Sequence, residues 1–476
     1  MHAIGQRILL VAPVPGTASS LGVYCRHSVL DPVALECLAA AVTPYGYDVA
    51  LLVVDPGHAH EFAARLAQIR PSVVGLTAMT HEFPGALALA RAAKSCDPNI
   101  ITVFGGYHVS ALPGVVEDPA IDYVVIGEGE RTFVELLDVV HAGKDPAMVR
   151  GVVCKGNFGD KRPSRERIED LDELPFPVRD REILKECRVG GLAYPAPSKQ
   201  VSVCQVTYSR GCPHSCKFCC SPKLWGRQVR WRSAGNLVEE LELLQKEYGT
   251  NLAFFTDLTF NASKAKVLEF CREKTARRVE MNWFPMCRVD GLDVELLTAM
   301  RDAGCTKISF GVDATSDATL SDVKPGQGMT LSGIRDALEM TSQLGIIVRG
   351  YVIIGYPMDT RVSLREAGAF LRSLAIDDLR MSFLTPFPGT SLYDEFRGKG
   401  WFLTDDFSRF TSEEPILKIP DLPPEVLIAE RDRIFSEFYN STEYEDRKRE
   451  KLRKFPHLKQ SYEEFHEFLS ERGVLR

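Results

Sequence analysis

Apolar residues fall in two rhythms along this chain. Short, nearly continuous apolar runs recur through the first third: RILLVAP (7–13), DVALLVVD (48–55), SVVGLTA (72–78), IITVFGG (100–106) and DYVVIGE (122–128). Between them, stretches such as PVALECLAAAVTPYG (32–46) and FPGALALARAAKS (83–95) carry apolar residues at helical spacing. Runs that are apolar at nearly every position belong to strands buried on both faces, and strand–helix alternation joins such strands in parallel. The pattern predicts an α/β, doubly wound, Rossmann-like domain over residues 1–145. Sheets of this kind bind ligands beyond the carboxyl ends of their strands. The loops at those ends are LTAMTHEF, GGYHVSALPG and GEGERTF.

Residues 146–199 lose the rhythm; KGNFGDKRPSRER and ELPFPVRDRE read as a small hairpin plus linker. Alternation returns over 200–398, with strands QVTYS, NLAFFTD, EMNWFPM, KISFGVD, VRGYVIIG and LRMSFLTP separated by amphipathic helices. Six such repeats predict a six-stranded partial (β/α) barrel, two units short of a closed one. Residues 399–476 read as a small helical C-terminal region, with RKREKLRK on a solvated, charged face.

Composition narrows the function classes. At 476 residues the chain is too long for one core. With 45% apolar and 25% charged residues and a net charge of −7, it is an ordinary globular chain with no general attraction to nucleic acid or membrane. No apolar run approaches the ~18 residues of a membrane span. The N-terminal apolar stretch is too short and too soon interrupted for a secretory signal. The expected compartment is the cytoplasm, where thiols stay reduced and a tight cysteine group binds metal or performs chemistry.

Such a group is present. RGCPHSCKFCCS (210–221) holds four of the chain's 13 cysteines within nine positions. Cys212, Cys216 and Cys219 are spaced C-x3-C-x2-C, and no second cysteine pair is available to complete a zinc tetrahedron. His214 lies inside the loop and cannot readily close a tetrahedron with its immediate neighbours. Three thiolates suit three irons of a [4Fe–4S] cluster, leaving the fourth iron open to a non-protein ligand. Cys220, adjacent to Cys219, points the other way and reads as a spare thiol. A zinc-stabilised binding module is the remote alternative. The loop follows the first strand of the second domain, and active sites of such barrels are built at strand carboxyl ends.

CPHSCKFC resembles the signature of radical S-adenosylmethionine (SAM) enzymes. The resemblance implies that SAM chelates the open iron and that Phe218 lies near its adenine. FFTDLTFN, FPMCRVD, KISFGVDATSDATL and YVIIGYP resemble later strand motifs of the same family. By that likeness Asp257 holds the SAM amino group or caps the turn, Arg288 pairs with the SAM carboxylate, and Ile353 packs on the adenine. Asp313 stands where the family commonly has Glu, and Tyr351 where it has Gly. The first domain resembles the cobalamin-binding domain found upstream in one class of these enzymes, through GGYHVS (105–110) and GEGE (127–130). Gly105, Gly106 and Gly127 would let backbone approach the corrin closely. His108 would hydrogen-bond the cofactor or, as the alternative, ligate cobalt directly, and Leu76, Thr77 and Thr80 would lie near its lower face, because the Asp-x-His-x-x-Gly motif that supplies a cobalt ligand elsewhere is absent. Glu128 and Glu130 either bond cobalamin amides or cap the next helix.

The resemblance covers roughly residues 5–140 and 200–396. It implies a [4Fe–4S] cluster, SAM and cobalamin as cofactors, a small-molecule substrate, and an electron donor such as flavodoxin or ferredoxin. The activity it implies is methylation of an unactivated carbon through a 5′-deoxyadenosyl radical and methylcobalamin. Cyclisation, rearrangement or oxidation with the same cofactors is the alternative.

Overall fold

The computed structural model describes residues 6–14, 30–157, 165–188, 192 and 201–475. Its N-terminal sheet contains β1 (Arg7–Pro13), β2 (Asp48–Val54), β3 (Val73–Thr77), β4 (Ile101–Gly105), β5 (Tyr123–Val125) and β6 (Val152–Val153). They stand in the order β2-β1-β3-β4-β5-β6. All pairings are parallel except that of β6 with β5. Each apolar strand feeds two cores. Leu9, Val11, Val74, Leu76 and Phe104 pack on one face, and Ile8, Leu10, Val73, Val103 and Val125 on the other. The sixth strand falls in the stretch expected to be a small hairpin plus linker; two valines are too short a run to mark its place in the pattern.

The second domain opens with β7 (Val203–Val206), followed by the short ribbon β8 (Ser209–Arg210) and β9 (Arg230–Trp231) that brackets the cysteine loop. Then come β10 (Leu252–Phe255), β11 (Asn282–Phe284), β12 (Met286–Cys287), β13 (Lys307–Asp313), β14 (Ile347–Ile354) and β15 (Asp378–Phe383). They form two parallel sets, β11-β10-β7 and β12-β13-β14-β15. Only Pro285 separates β11 from β12. It has no N–H to give the ladder, so one strand is split in two, and the set amounts to six strands of a partial barrel. Burial alternates only toward the carboxyl ends of β14 and β15. Val348, Val352, Ile354, Leu379, Met381 and Phe383 are buried, whereas Tyr351, Ile353 and Ser382 on the opposite face are partly open.

Three helices, Pro424–Tyr439, Thr442–Lys454 and Lys459–Glu471, close the chain. They are packed into the barrel core. The charged run is not wholly solvated: Lys451 is 5% exposed, donates to the Ile346 carbonyl at 2.8 Å and pairs with Asp377. Its helix lies against the barrel, so one basic position in the run faces inward. Among the described residues, no helix is long and apolar enough to cross a membrane.

Candidate functional site

The two domains meet around a cavity of about 370 Å3. Its first wall is the set of carboxyl ends expected from the sheet: Leu76 and Thr77 after β3, Gly105 and Gly106 after β4, Gly127 and Glu128 after β5. Its second wall comes from Thr207, Arg210, Leu224 and Trp225 beside the cysteine loop. A Cβ on Gly105 or Gly127 would meet nothing within 4 Å, so both glycines front open space. Gly106 differs. Its φ is +97°, and a Cβ there would come within 2.8 Å of Thr77 Oγ1, so only glycine fits this turn. A wide, mostly apolar crevice floored by bare backbone fits a large flat macrocycle.

Tyr107 and Trp225 join the walls, the indole N–H donating to the phenol oxygen at 2.6 Å. Burial pushes the Tyr107 hydroxyl up to about 12. Arg210 and Gly211, which lead into the cysteine loop, also line the cavity, so the loop lies beside it.

Glu128 is spent on the protein itself. It accepts from Arg210 at 2.9 Å, from Arg230 at 2.8 Å and from the Ile168 N–H at 3.1 Å. Burial raises its pKa, but the two guanidiniums outweigh burial and hold it below the ordinary carboxylate range. Glu130 takes the other arm of Arg210 at 2.6 Å. Neither glutamate caps the helix Glu130–His141, whose N-cap Gly129 makes no side-chain bond.

His108 does not line the cavity. It is fully buried, stacked 4.2 Å from Phe83 and edge-on to Phe407 at 4.7 Å. Neither ring nitrogen has a hydrogen-bond partner, and burial lowers its pKa to about 4. Thr80 is likewise buried outside the cavity wall.

On the cysteine loop, Cys212 is buried with its sulfur 3.5 Å from Thr259 Oγ1. Cys216 and Cys219 are half-buried. Among the described residues, no three His, Cys, Asp or Glu side chains already stand in a metal-binding arrangement. The donor set is nonetheless that of an iron–sulfur site: three free thiols on one loop. Burial and the neighbouring Cys219 push Cys220 up to about 12.

The later strand motifs surround this loop. Asp257 is 1% exposed and accepts from the N–H groups of Tyr208 at 3.0 Å and Ser209 at 2.6 Å, fixing the backbone that leads into the loop. Burial raises its pKa to about 6. Arg288 donates to Asp290 and to Gln327, both at 2.7 Å. Asp313 sits at φ +60°, a bulge where β13 slips against β14, and pairs with the buried Lys324. Phe218 and Ile353 are half-buried against the barrel core.

Sequence reasoning missed the ties between the domains. Arg179, from the expected linker, is buried and binds Asp31, Glu36 at 2.6 Å and Glu240 at 2.9 Å. A lone arginine in a Pro-rich stretch carries no local signal of this; its three carboxylates are up to 148 positions away.

Comparison with known proteins follows the same division. A model of the B12 binding domain matches residues 20–137, and one of the Radical SAM superfamily matches residues 206–371. An uncharacterized methyltransferase of Pyrococcus horikoshii is 29% identical over 91% of this chain and 92% of its own length. The anaerobic magnesium-protoporphyrin IX monomethyl ester cyclase of Rubrivivax gelatinosus is 29% identical over 75% of this chain and 63% of its own. The radical SAM methyltransferase TsrM of Kitasatospora setae, solved with cobalamin and a [4Fe–4S] cluster bound, superposes with a TM-score of 0.71. It is 18% identical and covers 97% of this chain and 100% of its own, so it shares the fold.

Proposed function

Because this chain belongs to the radical SAM superfamily, in the class that carries a B12-binding domain, we propose that it methylates an unactivated carbon of a small-molecule substrate. When bound, the cluster and SAM supply a hydrogen-abstracting radical, and cobalamin carries the methyl group.

The observation that carries this reading is the cavity between the domains, with glycine backbone on one side and the cysteine loop's flank on the other. The chain's own residues do the holding. Cys212, Cys216 and Cys219 would ligate the cluster. Gly105, Gly106 and Gly127, with Leu76 and Thr77, would floor the corrin. Arg288 would orient the SAM carboxylate, while Asp257 sets the loop's backbone rather than offering a free carboxylate. The Trp225–Tyr107 hydrogen bond and the Arg210–Glu128 pair tie the two walls of the cavity together. An electron donor of the flavodoxin or ferredoxin type would reduce the cluster, in a cytoplasm that keeps the thiols free.

The cyclase relative supports a second reading, carbon chemistry on the same cofactors without methyl transfer. Product mass from anaerobic turnover separates them. A gain of one methylene supports methylation; loss of hydrogen, with no label from the SAM methyl in the product, sinks it.

A further inference from the structure

The loop KPGQGM (324–329) joins the helices Asp317–Val323 and Leu331–Gln343 and belongs to no motif used above. Gly326 and Gly328 lie at φ +70° and +63°, the left-handed region that glycine adopts without strain. A Cβ on either would meet nothing, so the turn itself, and not crowding, asks for glycine. Between them Gln327 is presented at the tip of a tight bend.

This bend is docked on the cysteine loop. The Lys217 N–H donates to the Val323 carbonyl at 2.9 Å, and the Lys217 ammonium pairs with Asp322 at 2.5 Å. The Gln327 side chain then bridges two groups of the site. Its Oε1 accepts from Arg288 Nη1 at 2.7 Å, which fixes which end of the amide is oxygen. Its NH2 end lies 3.6 Å from Cys216 Sγ. Arg288 is itself held by Asp290. A thiol can donate or accept, but an iron-bound thiolate only accepts, so this orientation of the amide suits the loaded site.

We infer that Gln327 is a positioning residue that donates an N–H to the cluster-bound sulfur of Cys216 and sets the cluster's reduction potential. The inference rests on the radical SAM reading. Hydrogen bonds to cluster sulfurs tune potential, because they stabilise the more negative, reduced state. The same amide couples that sulfur to the Arg288 guanidinium, so cluster and guanidinium are held in one frame.

The test uses the full-length, reconstituted enzyme. Iron and sulfide content and the midpoint potential, followed by EPR, are compared for wild type, Gln327→Met and Gln327→Asn. Methionine keeps the length and has no N–H; asparagine keeps the amide but draws it back from sulfur by one methylene. Both variants should hold the wild-type complement of iron and show a more negative midpoint with a shifted EPR signal. A wild-type potential and signal in an iron-replete variant overturns the inference, as does a change confined to iron content or melting. If Gln327→Met does not fold, Gln327→Asn decides. A wild-type protein that assembles no cluster would instead remove the radical SAM reading itself.

Discussion

Arg210 reaches across the domain seam to Glu128, Nη1 to Oε1 at 2.9 Å, and takes up a carboxylate in the wall of the cavity. Arg230 takes the same carboxylate from another side. Both guanidiniums are buried, and breaking such a pair leaves charge unpaired at a cost of about 3–5 kcal/mol. Glu128→Ala should lose stability on that scale, and Glu128→Gln less, in anaerobic denaturant titrations. Equal stability of Glu128→Ala and wild type would show that the seam does not depend on this carboxylate.

Gly105 offers a cleaner probe of the cavity. Its φ lies outside the left-handed region and its Cβ direction is open, so a side chain there enters the cavity without strain. Gly105→Leu should melt like wild type yet retain little or no corrinoid after reconstitution, read from cobalt content. Full corrinoid retention would mean that the cofactor lies elsewhere.

The cysteines divide three to one. Cys216→Ala should abolish the brown colour and most of the bound iron, whereas Cys220→Ala should keep both. Iron analysis of the two reconstituted variants decides this. Loss of iron in Cys220→Ala would make it a fourth ligand.

His108 predicts a pH dependence. Burial between aromatic rings lowers its pKa from 6.5 to about 4 in the folded chain. Between those values the unfolded chain binds the proton and the folded chain does not, so stability falls as the pH falls through this window. The slope is about 1.4 kcal/mol per pH unit. His108→Leu should flatten the stability profile between pH 6.5 and pH 4 relative to wild type; an unchanged profile would assign the acid sensitivity to other groups.

Much of this molecule was legible in its sequence because the signals are local. The apolar runs that became β1 to β5 show their two buried faces residue by residue, and the spacing of Cys212, Cys216 and Cys219 is contained in one loop. The ties that assemble the site are not local. Arg179 meets Asp31 and Glu36 only after the domains have packed, and Gln327 meets Cys216 only after the barrel has assembled. Glu128 and His108 show the complementary case. Their motifs are readable, but whether a side chain faces a cofactor or the protein depends on groups far along the chain, such as Arg230 and Phe407. Pro285 is intermediate: its missing N–H is visible at once, but the neighbours of the strand it splits are not.

The central claim is that one chain would hold a cluster and a corrinoid on either side of the Tyr107–Trp225 seam and would pass a methyl group from SAM through the corrinoid to a substrate carbon. The most direct measurement incubates the reconstituted, reduced enzyme anaerobically with methyl-labelled SAM, then isolates the protein-bound corrinoid and counts the label. The account predicts bound corrinoid carrying label. Deoxyadenosine formation by a protein that binds no corrinoid, with all label found on SAM and on the methionine released from it, would contradict it.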